Sequence, residues 1–279
     1  MRTATGDDRD PLDRCFTPRN LARALVRRLD DRGYIAPPPS TTRAFRALDA
    51  GAGDGAFYTA LEGHRALHRP HLSPIVPYGV DLDPDAVALR TCANVWHGDF
   101  LKLPAPRPAG VQRGRPLGQS YDLVIGNPPF SVAEAFVRYG LVLAPVVAFL
   151  LPQLFLGSGE RFHNGLWGTP ARTVTSGADR LLGPEFGWRL AHVDPLVERC
   201  GFYGPALKAD KQHKTGMVQH CLFIWTRLGW SVGGEDAGLV GRANGDFTSR
   251  HLSWGGMKPW NDERTRLVGL DDRVQAEAA

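Results

Sequence analysis

The chain is short of the residues that mark several functional classes. Of its 279 residues only four are cysteine, Cys15, Cys92, Cys200 and Cys221, and no two form a C-x-x-C pair. That scatter excludes a zinc knuckle and a disulfide framework, and reads as four incidental or buried thiols in a reducing compartment. Neither His97 nor His213 has partners at metal-ligand spacing, so no metal is expected. Long apolar runs are missing too. The longest, Leu141–Leu151, spans 11 residues and is interrupted by Pro145, against about 20 for a membrane-spanning helix. The opening MRTATGDDRDPLDR has no apolar core, so no signal peptide is expected and the protein is read as cytoplasmic, with no membrane partner. Lysine is scarce, confined to Lys102, Lys208, Lys211, Lys214 and Lys258. Lys+Arg 33 against Asp+Glu 29 gives a net charge of +4, which suits a nucleic-acid partner without requiring one.

What is present is an ordinary globular composition, 43% hydrophobic and 22% charged, enough for one large α/β domain or two small ones. Residues 1–15 read as a disordered leader. Residues 16–44 read as a helix and a proline-rich linker, with Thr17 as N-cap, Pro18 as first helical residue and LARALVRRL at helical spacing. From Phe45 short apolar runs (FRALDA, PIVPYGVD, ANVWHGD, YDLVIGNPP, VVAFLLP) alternate with helical stretches, and GWRLAHVDP and VQHCLFIWT supply two later strands. That alternation predicts parallel βαβ units with buried strands over residues 45–226. Segments 104–119 and 156–187 read as surface loops or insertions. The polar extension 227–279 keeps Trp230, Trp254 and Trp260, so it is expected to pack on the domain or on a ligand, with DNA a candidate.

Four strand ends carry the chemistry. Asp49-Ala50-Gly51-Ala52-Gly53-Asp54-Gly55 follows the first strand, and its glycines allow a tight turn and close approach of a ligand to backbone amides. A carboxylate at Asp49 would repel a pyrophosphate but suit a cationic amino-acid group. Gly79-Val80-Asp81-Leu82-Asp83-Pro84 ends the second strand, where Asp81 is placed to accept from ribose hydroxyls and Asp83 to cap a helix starting at Pro84. Gly98-Asp99-Phe100 offers an acceptor for an adenine amine beside a ring that can stack on it. Each of these has an ordinary alternative as a helix cap or turn. Asp122 to Phe130 (DLVIGNPPF) is more specific. Prolines 128 and 129 stiffen the chain after a buried strand, so the Asn127 side-chain oxygen and the Pro128 carbonyl become two acceptors aimed at one point. That pair suits an amine conjugated to a ring, with Phe130 to stack on it.

From Cys15-Phe16-Thr17-Pro18 through the glycine loop, Asp81, Asp99 and Asn127-Pro128-Pro129-Phe130, the sequence resembles S-adenosylmethionine-dependent amino-methyltransferases, most closely the DNA adenine-N(6) methyltransferases. Arg199-Cys200-Gly201-Phe202-Tyr203-Gly204 is similar to a later segment of that family that brings an aromatic near the target base. The resemblance spans residues 15–226. It implies an α/β, Rossmann-like class I methyltransferase fold: a mainly parallel seven-stranded sheet with helices on both faces, plus a small C-terminal extension. S-adenosylmethionine is the implied cofactor. Phe16 and Thr17 would contact its methionine end, and Asp49, Ala50, Gly51 and Gly53 its amino-acid moiety. Asp81 would hold the ribose, Leu82 pack on the adenine, and Asp99 accept from its amine with Phe100 alongside. Asn127 and Pro128 would hold the target nitrogen, with Pro129 stiffening the turn and Phe130 and Phe202 near the base. The implied partner is duplex DNA with the target base flipped out, and a cognate restriction endonuclease is a further candidate. One departure from the family's pattern is that only the 156–187 insertion and the residues after Trp225 are available for target recognition, so sequence specificity is expected to be absent or confined to a short site.

Lys208 to Lys214 is the best local candidate for phosphate contact, through Lys208, Lys211 and Lys214, with a solvated loop as the alternative. Methylation of RNA, of a protein glutamine amide, or of a guanine or cytosine amine remains open. So does a non-catalytic module that binds cofactor or DNA.

Overall fold

A computed structural model describes residues 14–35, 44–68, 74–104, 111–112, 115–116, 121–157, 188–203, 218–227, 249 and 251–252. Seven strands form one sheet: β1 (Phe45–Ala50), β2 (Ile75–Asp81), β3 (Val95–His97), β4 (Leu123–Gly126), β5 (Val146–Pro152), β6 (Trp188–Pro195) and β7 (His220–Arg227). Their order across the sheet is β3-β2-β1-β4-β5-β7-β6, and β7 alone runs against its neighbours. This is the mainly parallel, Rossmann-like architecture that the resemblance implied.

The central strands are apolar on both faces because both faces are covered. On one side Ala47, Leu123, Ile125, Ala148 and Ile224 pack beneath α1 (Arg19–Asp31) and α2 (Ala56–His68). Their alternates Leu48, Val124, Val147, Phe149 and Phe223 pack beneath α4 (Ala133–Leu143). Period-two alternation thus feeds two cores from single strands. In α1 the stripe Leu21, Ala22, Leu25, Val26 and Leu29 is wholly buried, as its helical spacing requires.

Two local expectations fail. Helix α1 begins at Arg19, and the flanking residue is Pro18 at φ −54, ψ 135; Thr17 makes no capping bond. Extended Pro18 takes the N-cap position, so Thr17 stands one residue too early to cap; it is buried, its hydroxyl unpartnered among the described residues. Similarly, the short helix α3 (Val87–Thr91) starts after Ala86 rather than at Pro84. Asp83 closes a turn there by accepting from Asp85 N at 2.9 Å.

Beyond α1, a buried polar network fastens the chain to β6. The Arg32 guanidinium donates to both oxygens of Asp194, at 3.0 and 2.7 Å, and to His192 Nδ1 at 2.9 Å. Since arginine only donates, His192 Nδ1 is the accepting nitrogen, and Nε2 carries the proton toward Tyr34 Oη at 2.8 Å. Part of the C-terminal extension docks nearby. Leu252 is buried, its amide donates to the Pro195 carbonyl, and its own carbonyl accepts from Val197 N, each at 2.9 Å. The three extension tryptophans, and residues 158–187 of the expected insertion, lie outside the described residues. Within the expected 104–119 loop, Val111–Gln112 and Arg115–Pro116 pair as a small antiparallel ladder. No helix among the described residues is long and apolar enough to cross a membrane.

The order reverses between β1 and β4, so the loops leaving their C-terminal ends diverge and open a crevice. The glycine loop and the Asn-Pro-Pro-Phe turn sit on either side of it.

Candidate active site

A cavity of about 310 Å³ occupies this crevice. The loops after β1 to β4 line it with Gly51, Gly53, Asp81, Leu82, Asp99, Phe100, Asn127 and Pro129, and Arg14, Cys15 and Phe16 close it from the N-terminal side.

The glycine loop needs its glycines at three positions, with φ of +78, +53 and +82 at Gly51, Gly53 and Gly55. Gly51 faces open space, whereas a Cβ on Gly53 would lie 3.0 Å from the Phe16 ring. The loop is tied to the end of β2: Gly51 N and Ala52 N both donate to the Val80 carbonyl at 3.0 Å. Asp81 completes the tie, accepting from Gly53 N at 2.6 Å and from Asp83 N at 2.8 Å. Burial raises its pKa, offset by those amide bonds. Asp81 therefore shapes the loop as well as facing the cavity.

Asp49 departs from expectation. It is 1% exposed, does not line the cavity, and accepts from Tyr58 N in the first turn of α2 at 3.1 Å. Its side chain turns under the loop to meet the helix N-terminus, where amide donors are otherwise unsatisfied. Oδ1 has no partner among the described residues, and burial pushes the carboxyl pKa up to about 8. Ala50, expected with Asp49 to line the amino-acid moiety, is fully buried as the last residue of β1 and stands outside the cavity wall. Thr17, likewise expected beside the cofactor, is also absent from the wall. Asp99 does line it while capping the 3₁₀ turn Phe100–Lys102, accepting from Leu101 N at 3.0 Å and facing Lys102 Nζ at 3.1 Å. Phe100 is buried and stacks on Phe136 at 4.7 Å, so it forms wall rather than a free plate. Leu82 is 54% exposed in the cavity, an apolar surface left open.

Across the crevice, Gly126 ends β4 so close to β1 that a Cβ would lie 2.6 Å from the Ala50 carbonyl oxygen. That approach brings Asn127 to the rim of the glycine loop. The Asn127 amide Nδ2 donates to the Cys15 carbonyl at 3.1 Å, which fixes the flip of the side chain. Oδ1 is then buried with no partner among the described residues. Pro128 is buried behind it, Pro129 lines the cavity, and Phe130 stands outside at 37% exposure.

Several partners were not legible in the sequence. Arg14 pairs with Asp83 at 2.8 Å. Phe16 and Tyr203 form an isolated antiparallel bridge, with Phe16 N donating to the Tyr203 carbonyl at 2.6 Å and the rings edge to face at 5.6 Å. The Tyr203 hydroxyl donates to Asp54, so the segment after β6 clamps both the N-terminal strap and the glycine loop. Phe202, singled out from the sequence, meets Phe130, and both meet His220, which was not. The clue lay in adjacent aromatics in GFYG, but no local signal says which ring each would meet. Lys208, Lys211 and Lys214 lie outside the described residues. Among the described residues no group of His, Cys, Asp and Glu is placed to hold a metal.

The chain matches no protein-family model and no curated protein. Among solved structures it is similar to a candidate RNA methyltransferase from Pyrococcus horikoshii, at 15% identity and a TM-score of 0.49, over 80% of this chain and 93% of that one. A candidate class I S-adenosylmethionine-dependent methyltransferase from Listeria monocytogenes gives 14% identity and a TM-score of 0.49, over 94% and 70%. The 23S rRNA methyltransferase ErmE gives 14% and 0.41, over 78% and 71%.

Proposed function

We propose that the chain is an S-adenosylmethionine-dependent methyltransferase acting on the exocyclic amino group of adenine in DNA. The observation that carries this reading is the Asn127 oxygen: a neutral acceptor, buried, unpartnered among the described residues and oriented by Cys15 beside the cavity. Buried acceptors are normally paired, so an orphan in a cavity wall marks where a ligand donor belongs.

The cavity fits the cofactor. Gly51 leaves the backbone face uncovered, Leu82 offers apolar surface, and the carboxylates of Asp81 and Asp99 keep lone pairs for hydroxyl and amine donors. Phe16 and Arg14 would close over it. When bound, S-adenosylmethionine supplies a methyl made electrophilic by its sulfonium. The protein's part is alignment and electrostatics. A ring amine is a poor nucleophile because its lone pair is delocalised. Asn127 Oδ1 and the Pro128 carbonyl would accept its hydrogens, turn the lone pair out of conjugation and disperse the positive charge that builds on nitrogen. A paired base cannot enter such a pocket, so the base must be flipped out of the duplex.

The test is transfer of a radiolabelled methyl group to unmodified duplex DNA and, in parallel, to RNA, with nuclease digestion to identify the modified nucleoside. N6-methyladenine in DNA is the expected product. Label in RNA alone would replace the polymer, and label in neither would remove the reading. Affinity for duplex DNA should fall with salt, and replacing Lys208, Lys211 or Lys214 by alanine should reduce that slope by about one unit per lysine that neutralises a phosphate.

A further inference from the structure

Three rings from three separate segments meet beside the Asn-Pro-Pro-Phe turn. Phe130 is the last residue of that turn, Phe202 lies in the segment after β6, and His220 opens β7. Centroids are 6.5 Å apart for Phe130 and Phe202, 5.6 Å for Phe130 and His220, and 4.9 Å for Phe202 and His220. Each ring touches the other two. The cluster is graded by depth, with Phe130 37% exposed and His220 only 4%.

His220 is the fixed member. Its backbone is in the sheet, paired with Pro152 of β5, and its carbonyl accepts from Leu196 N at 3.0 Å. Its Nδ1 lies 3.0 Å from the Val218 carbonyl, which only accepts, so Nδ1 carries the proton. Burial lowers the imidazole pKa to about 4, which leaves a neutral aromatic plate at neutral pH. Nε2 has no partner among the described residues. Phe130, by contrast, projects from a turn and, among the described residues, belongs to no strand or helix. A stacking ring contributes most when its orientation is set before the ligand arrives, and a strand sets orientation better than a loop does.

We propose that His220 is a positioning residue of the target-base site: its imidazole backs Phe130 and holds that ring in the orientation that captures a planar heterocycle. The identity of the heterocycle rests on the methyltransferase reading above; the support of Phe130 does not. His220 acts through Phe130 and stands outside the wall of the cofactor cavity.

Two measurements on the whole 279-residue chain test this. The first is fluorine NMR with 4-fluorophenylalanine placed at position 130, which needs no substrate. One narrow signal is expected with His220 or with His220→Phe, and a shifted, averaged signal with His220→Ala. The second is steady-state methyl transfer to duplex DNA. His220→Ala should raise KM for DNA about tenfold, with kcat and cofactor affinity little changed, and His220→Phe should stay within about threefold of wild type. A fluorine signal unchanged in His220→Ala would overturn the proposal. So would a His220→Phe variant as impaired in KM as His220→Ala, since Nε2 itself would then bind substrate. If the fluorine signal responds as expected but wild type transfers no methyl to any nucleic acid, the proposed function fails while the positioning role stands.

Discussion

The Asn127 side-chain amide donates to the backbone carbonyl of Cys15, a residue 112 positions earlier in the chain. One hydrogen bond thus joins the N-terminal strap to the turn after β4 and decides which end of the amide faces the cavity. An amide held by its nitrogen presents its oxygen, and that oxygen is the buried acceptor on which amine recognition depends.

Asn127→Ala should therefore depress methyl transfer far more than cofactor affinity, because most of the cofactor groups end β1 to β3 and Asn127 reaches the N-terminal residues that close the cavity through one hydrogen bond. By analogy with deleting one oxyanion-hole donor, turnover should fall on the order of a hundredfold or more. Radiolabel transfer and calorimetry with S-adenosylmethionine separate the two effects. Near wild-type turnover would remove Asn127 from the mechanism.

Asp81→Ala should weaken cofactor binding by about 1.5–3 kcal/mol through loss of a charge-assisted acceptor. It also frees Gly53 N and Asp83 N, so the glycine loop should gain amide hydrogen exchange in the free protein. Exchange at the loop unaltered by the substitution would show that Asp81 does not organise it.

Gly53→Ala tests the strap. The new Cβ would meet the Phe16 ring at 3.0 Å on a backbone at φ +53, which costs about 1–2 kcal/mol for an L-residue before the clash is counted. The free protein should lose stability in urea denaturation, and Gly53→Ala should cost less in a Phe16→Ala background, where the ring that the new Cβ meets is gone. An equal cost in both backgrounds would place the whole penalty in the backbone.

The Asp49 carboxyl is raised from 3.8 to about 8 in the folded protein, so the native state holds a proton that the unfolded chain releases. Stability is then highest below the unfolded pKa and declines as pH rises from near 4 towards 8. Asp49→Asn keeps an acceptor for Tyr58 N and should flatten that decline, giving a higher Tm than wild type at about pH 8 and a smaller difference at about pH 5. Parallel Tm profiles for the two proteins would rule out the proton at Asp49.

Arg32→Ala should destabilise the fold by up to about 3–5 kcal/mol, because it removes the bidentate donor from the buried Asp194 carboxylate, leaving the longer Arg28 Nε contact at 3.8 Å, and takes a donor from His192 Nδ1. Urea denaturation measures the loss. Replacing Arg32 by Met together with Asp194 by Leu should recover part of it.

Features written into neighbouring residues were legible in the sequence itself. Apolar runs such as VVAFLLP set buried strands, the alternation of runs and amphipathic stretches set the parallel sheet, and closely spaced glycines set the turn at residues 51–55. Gly-Asn-Pro-Pro-Phe likewise fixes its own stiff turn, since proline restricts the backbone locally. The carboxylates were found too, but not their directions. Asp49 and Asp81 both follow strand ends, yet Asp49 turns beneath the loop to Tyr58 N while Asp81 stays at the cavity, a choice made by which amide donors packing brings near. Thr17 does not cap because Pro18 is extended and itself flanks the helix, while Phe16 pairs with Tyr203, far along the chain. The meeting of Phe130, Phe202 and His220, and the proton held on Asp49, exist only once the sheet is assembled. Local propensity acts between residues a few positions apart, whereas burial and long-range contacts arise only from the closed tertiary structure.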